Sequence, residues 1–222
     1  MTRQAERTDV VERYTRPTRW FHALTYLTVL ALLATGWWLT TGHEGRPSML
    51  ATVTGVPDVT LHTYAGWTLT GLAVAAVTVG ARAARTFLAE SVRADRGDLR
   101  WLRRWPVAAL TGRFARHDGH FDPGQRIANL IVTVLLAALI GTGIGLLAVD
   151  GGPAFVWLQR IHRWSTYLVT PVLLGHILIA SGVLPGYRGV ARGMHLGGKL
   201  RVEVARRIWP GWLELHNKRA RK

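Results

Sequence analysis

The sequence contains no cysteine. That excludes disulfides, thiolate-ligated iron–sulfur clusters and c-type haem attachment within this chain, so any metal cofactor has to be held by histidine. Acidic residues are scarce, 13 against 28 lysines and arginines, which gives a formal net charge of +15. None of the long apolar runs carries a carboxylate, so a carboxylate-ligated metal centre inside them is excluded as well. A cleavable leader is not expected either. The first apolar run is of full span length, follows nineteen largely polar residues that include acids, and offers no small-residue cleavage site.

What is present is a set of apolar runs too long for a soluble domain. Four reach span length, at about 20–40, 61–81, 127–149 and 155–184, and the second is diluted by threonine and glycine. The reading is an all-α protein, an integral membrane four-helix bundle forming a single membrane domain over 1–222, with a tail from 185 to 222. A charge of +15 would suggest nucleic acid in a soluble protein, but its distribution has a simpler cause. Twenty-five of the 28 basic residues lie before the first span, between the second and third, or after the fourth. By the positive-inside rule both termini, the basic middle loop and the tail are then cytoplasmic, in an inner membrane crossed four times. Anionic lipid is an expected partner and nucleic acid is not.

The most informative stretch is 161–184, IHRWSTYLVTPVLLGHILIASGVL, with His162 and His176 fourteen residues apart. On a helix, fourteen steps return to within about 40° of the starting direction and rise roughly 21 Å, so both imidazoles look to one face from opposite ends of a span. They cannot ligate the same metal. They are either interfacial, hydrogen-bonded histidines or single ligands to two cofactors at different depths. The topology sorts the remaining intramembrane histidines by depth. His22, at the inner end of span one, matches His176; His62, at the outer end of span two, matches His162. Each level thus offers two histidines on different helices, which suits the two faces of a haem better than zinc, whose sites want three or four protein ligands. Two bis-histidine haems at two depths would form a transmembrane electron wire, and a six-coordinate iron has no open position for oxygen.

Gly36 would let a flat ring or a helix approach closely. Gly141, Gly143 and Gly145 favour tight contacts on span three, and Pro171 is placed to kink span four. Arg19, Arg160 and Arg163 read first as helix-end snorkelling and alternatively as partners of haem propionates. The segment RWLRRWPVAAL reads either as interfacial or as a solvated connector. His117 and His120 are expected in water or near a headgroup, His43 in a solvated outer loop with Glu44, and His195 and His216 receive no role.

Several stretches together resemble the cytochrome b, or gamma, subunits of respiratory formate dehydrogenases, a dihaem four-helix family related to hydrogenase b-type cytochromes. They are RYTRPTRWFHALTYLTVLALLATGWWL, the His62 that opens span two, FDPGQR before span three, HRWSTYLVTPVLLGH in span four, and RIWPGWLEL in the tail. The resemblance implies two haems b, one held by His62 and His162 on the periplasmic side and one by His22 and His176 on the cytoplasmic side. It also implies a menaquinone or ubiquinone pocket formed partly by Asp122, Gly124, Gln125 and His176, although the family commonly carries asparagine where Asp122 stands. Asp122 read by itself is equally a helix cap. The implied partners are an iron–sulfur subunit and, through it, a molybdenum or tungsten catalytic subunit. The chain's own half-reaction is then quinone reduction, with formate oxidation elsewhere in the complex. Two alternatives share these features: a cytochrome b of a nickel–iron hydrogenase, and a stand-alone dihaem cytochrome.

Overall fold

A computed structural model describes residues 10–42 and 45–221. The expectations for His43 and Glu44, and for the first nine residues of the lead-in, lie outside the described residues. In chain order the elements are β1 (Val10–Glu12), α1 (Arg16–Thr40), α2 (Met49–Thr54), α3 (Asp58–Thr78), α4 (Ala81–Ser91), α5 (Asp98–Thr111), α6 (Pro123–Ala148), α7 (Gly152–Ala180), α8 (Ala191–His195), β2 (Lys199–Arg201), α9 (Val202–Ile208) and α10 (Pro210–Ala220). A single 3₁₀ turn, Pro185–Tyr187, precedes α8. The described chain is therefore almost wholly helical.

Two helices, α1 and α6, are long and apolar enough to cross a membrane, and α3 with α4 passes the same test as a pair bent by 93°. Only 11% of the apolar window of α1 and 6% of that of α6 are buried by the protein, so their leucines and valines face outward, as lipid-facing side chains do. The second span thus ends earlier than expected, at Thr78. There both the Val79 and the Gly80 amides donate to Ala75 O, and a Cβ on Gly80 would stand 2.8 Å from Ala76 O. The chain turns where only glycine fits. The fourth helix, α7, has ample length at 29 residues, but Gln159, Arg160, His162 and Arg163 dilute its first half.

The chain divides into two compact units. One comprises residues 20–84 and 131–172, and is a four-helix unit built from α1, α3, α6 and α7. The loop between α1 and α3 forms the short helix α2, capped by Ser48 Oγ on the Ala51 amide and closed by Gly55 in the left-handed region. Ser48 also donates from its amide (2.9 Å) and its hydroxyl (2.5 Å) to the buried Asp58 carboxylate, tying α2 to the start of α3.

The other unit comprises the described residues 10–19, 85–130 and 173–221. Here β1 and β2 pair antiparallel with Val11 opposite Leu200, and both side chains are buried while their neighbours on each strand face out. These two join Ala109, Tyr187, Val204, Ala205, Ile208, Trp209, Trp212 and Leu213 in one apolar core. The segment after 185, expected as a tail, supplies most of that core. The RWLRRWPVAAL segment is not a solvated connector but the helix α5, one face of which is buried by the protein. Trp101 is 2% exposed and Trp105 donates to the Tyr187 hydroxyl at 2.8 Å, because Trp101, Trp105, Ala108 and Ala109 share one face of α5. Gly186 crosses that face so closely that a Cβ would stand 2.5 Å from Ala108 O. Arg126 is also buried, at 2% exposure. It donates to Phe121 O and Asp118 O and pairs with Asp95 (3.0 Å) and Asp98 (3.3 Å). His117, expected in water, is instead a core histidine whose Nε2–H donates to Ile208 O at 2.8 Å.

Candidate functional site

The four-helix unit brings two of the four expected ligands together. His62 sits one turn into α3 and His162 in the first half of α7. Their ring centroids are 6.2 Å apart and their planes are inclined at 73°. Each ring is held from behind by the helix that precedes it in the membrane set. Thr35 Oγ1 of α1 lies 2.8 Å from His62 Nδ1, and Thr142 Oγ1 of α6 lies 2.8 Å from His162 Nδ1. Both threonines are buried. Next to each comes a glycine facing the same imidazole. A Cβ on Gly36 would stand 3.2 Å from His62 Cε1, and one on Gly143 would stand 3.5 Å from His162 Cε1. With Nδ1 engaged on each ring, Nε2 is the nitrogen available to a metal.

This arrangement fits a haem iron. Two metal–nitrogen bonds of about 2.0–2.1 Å and two ring radii put the centroids of imidazoles ligating one metal from opposite sides about 6 Å apart. The observed separation agrees with that. Among the described residues no group of three or more His, Asp or Glu side chains comes together to hold a metal ion. Two histidines make a complete site only when the cofactor brings its own donors, as the four nitrogens of a porphyrin do. Tryptophan and tyrosine fill the space beside α7. Trp37 Nε1 donates to Thr170 Oγ1 at 3.2 Å and its ring lies 5.3 Å from that of Tyr167.

His22 stands nearly two turns into α1, 5.6 Å from the Tyr26 ring, and belongs to the four-helix unit. His176, near the end of α7, belongs to the other. Arg160 lies 5.3 Å over the Trp157 ring. Arg19 differs. Its Nε is buried and makes no hydrogen bond among the described residues, so an anionic group would satisfy it.

The turn expected at a quinone pocket is tightly engaged. Asp122 caps α6, accepting from the Gln125 amide at 2.8 Å, and is buried. Burial pushes its carboxyl above the usual range despite the amides of Gln125 and Gly124 and the nearby His117 and Arg126. Gly124 lies beneath Trp101, whose ring atoms a Cβ would approach to 3.1 Å. Gln125 Oε1 accepts from Trp209 Nε1 at 3.0 Å. Arg13, lying 4.9 Å over Trp209 and 4.3 Å over Trp212, donates to His120 O at 2.8 Å, and burial lowers the pKa of its guanidinium. Burial likewise pushes the Tyr187 phenol well up, and Asp122 adds to the effect.

Thr35 and Thr142 were not legible as site residues from the histidines alone. The signal for them is a repeated dipeptide: Thr-Gly occurs at the same level of the first and third spans, as LLATGWWL and LIGTGIGL. The family model described as prokaryotic cytochrome b561 matches residues 13–196, more than four fifths of the chain. No curated protein matches the chain.

Proposed function

The chain belongs to the prokaryotic cytochrome b561 family of membrane electron-transfer cytochromes, which bind b-type haem, and from that premise we propose that it is the dihaem cytochrome b subunit of a respiratory formate dehydrogenase. In this reading it carries electrons from a periplasmic iron–sulfur partner across the inner membrane to menaquinone or ubiquinone on the cytoplasmic side, with both termini cytoplasmic. The observation that carries the electron-transfer part is the opposed His62/His162 pair, whose Nδ1 atoms are both already spoken for. The formate dehydrogenase part is supported by the motif set around His22, His62, His162 and His176 rather than by any contact.

A b-type haem, when bound, supplies an iron that accepts and releases one electron at a time. The residues decide what else can happen there. His62 and His162 would hold the haem of the outer site between them, and with two protein ligands such an iron would serve electron transfer rather than oxygen chemistry. By the same resemblance His22 and His176 would be the ligands of the second haem. Arg19, one turn before His22, offers its unsatisfied Nε–H to a propionate of the inner site. Asp122, Gly124, Gln125 and His176 form the quinone-facing wall, where a carboxyl held above its usual pKa can hold a proton for the quinone being reduced. Electrons passing inward while protons are taken from the inside charge the membrane without a pump.

Two measurements test the reading. A pyridine haemochrome assay on detergent-purified protein is expected to give two haems b per chain, with His162→Ala and His176→Ala each losing a different one. Absence of haem from freshly prepared wild-type protein would overturn it. Formate added to native membranes is expected to reduce these haems. Reduction by hydrogen and not by formate would instead select a nickel–iron hydrogenase partner.

A further inference from the structure

The two halves of the four-helix unit repeat one another around the outer site. The LLATGWWL of α1 is echoed by LIGTGIGL in α6, and the LHTYAGW that opens α3 by IHRWSTY in α7. The contacts repeat as well. In each half a buried threonine meets the Nδ1 of the following helix's histidine at 2.8 Å, and the glycine after it faces Cε1 of the same ring. Such parallel repeats are related by an axis along the membrane normal, and two equivalent ligands facing each other across it put one metal on the axis.

The threonines settle which nitrogen of each ring carries the proton. Thr35 Oγ1 also lies 2.8 Å from Ala31 O, and Thr142 Oγ1 lies 2.6 Å from Ala138 O. A carbonyl oxygen has no proton to give, so each hydroxyl spends its single proton on its own helix backbone. Toward histidine the hydroxyl can then only accept, and Nδ1 has to be the donor. Back-bonding alone is ordinary for a helical threonine, and Thr25, Thr28 and Thr78 do it too. The second contact, to a ring nitrogen, is what gives Thr35 and Thr142 a further role.

We propose that Thr35 and Thr142 are a matched pair of positioning residues that hold His62 and His162 as Nδ1-protonated imidazoles and so present both Nε2 lone pairs to one haem iron. The proposal rests on the haem reading above. It also predicts where the device stops. His22 stands thirteen residues before Thr35, and the residue thirteen before Thr142 is Asn129; His176 stands fourteen after His162, and the residue fourteen after His62 is Ala76. The duplication therefore supplies matched ligands to the outer site and not to the inner one. A neutral hydroxyl acceptor lends each imidazole less negative character than a carboxylate would, and removing it leaves a poorer donor to ferric iron.

The test is a spectroelectrochemical titration of purified protein, with Thr35→Val, Thr142→Val and the corresponding serine variants. Each valine is expected to raise the midpoint potential of the His62/His162 component alone. About a tenfold loss in ferric relative to ferrous retention corresponds to ~59 mV for one electron. The two valines should act alike, because their sites are equivalent, and serine should restore the wild-type potential. If valine empties the site altogether, refilling by serine at the same position supports the same conclusion, and failure of serine to refill it refutes it. Unchanged potentials in both valine variants, or a shift confined to the other component, would also overturn the assignment. A wild-type preparation without haem is a different result: it removes the underlying reading before the variants are compared.

Discussion

Replacing Gly36 and, separately, Gly143 with alanine should give opposite results, although the two glycines hold equivalent places in the repeat. A Cβ at residue 36 would meet His62 Cε1 at 3.2 Å and Nδ1 at 3.7 Å, whereas one at residue 143 would meet His162 at 3.5 and 4.0 Å. Carbon atoms rest in contact at about 3.5–4.0 Å, so His62 has to retreat by a few tenths of an ångström and His162 does not. His62 has little freedom to do so, because Thr35 holds its Nδ1 from the same helix. A ligand site tolerates errors of about 0.2 Å in its bonds. Overpacking costs about 1–3 kcal/mol, while alanine for glycine in a helix returns roughly 0.5–1 kcal/mol. At Gly143 only the gain applies, so haem content should match wild type and thermal stability should rise slightly. At Gly36 the cost outweighs the gain by up to roughly 2 kcal/mol, and haem retention at the His62/His162 pair is expected to fall by up to about thirtyfold. Haem content and the redox titration of the two variants, side by side, read this directly. Equal behaviour, or a greater loss in Gly143→Ala, would refute the geometric reasoning.

Further outcomes follow from the other unit. Arg126→Lys keeps a charge but cannot reproduce the guanidinium fork that serves Phe121 O, Asp118 O, Asp95 and Asp98. The expected cost is about 2–3 kcal/mol, at the low end for a buried pair because the two carboxylates stay partly in water, and it should lower the melting temperature by roughly 4–12 °C. Burial pushes the Asp95 carboxyl up, but hydrogen bonds from Arg126 and Arg93 outweigh it and hold the group below its usual range. That contribution is present above the ordinary value of ~3.9 and is lost as pH falls through the depressed one, so the difference between Arg126→Lys and wild type should narrow in acid. Asp122→Asn has the opposite sign. The raised Asp122 carboxyl is most favourable below ~3.9 and becomes a burden as pH rises through its folded value. Asparagine keeps an acceptor for the Gln125 amide and removes the charge. Thermal unfolding should therefore show the variant more stable than wild type at alkaline pH, with the advantage shrinking toward acid; a pH-independent difference would sink the account.

The membrane helices were legible because lipid imposes a long apolar run, and their histidines because nothing else in the composition could hold a metal. Depth and the family resemblance both pair His62 with His162, and their rings lie 6.2 Å apart. What escaped was everything in which one helix reads another. Thr35 and Thr142 look like ordinary span residues until their echo is noticed. Trp101 looks interfacial beside so many arginines, yet the spacing to Trp105, Ala108 and Ala109 already describes a helical face that needs covering. Its cover comes from Gly124 and Phe114 and, for the rest of that face, from residues beyond 185, and no local pattern announces a partner so far along the chain. His117 was misplaced for the same reason: its acceptor is Ile208 O.

The pairing of Val10 with Arg201 also fixes an order in time. A ribosome adding roughly 5–20 residues per second needs roughly 10–40 s to travel from one to the other. Throughout that interval Val11 has no Leu200 to pack against and Arg13 has neither Trp209 nor Trp212 beneath it. Every membrane helix has been synthesised before the first strand finds its mate. A chain released before Lys199 would contain His22, His62, His162 and His176 and still display an unpaired strand and a half-built core, the marks by which a cell's proteases tell unfinished proteins from finished ones.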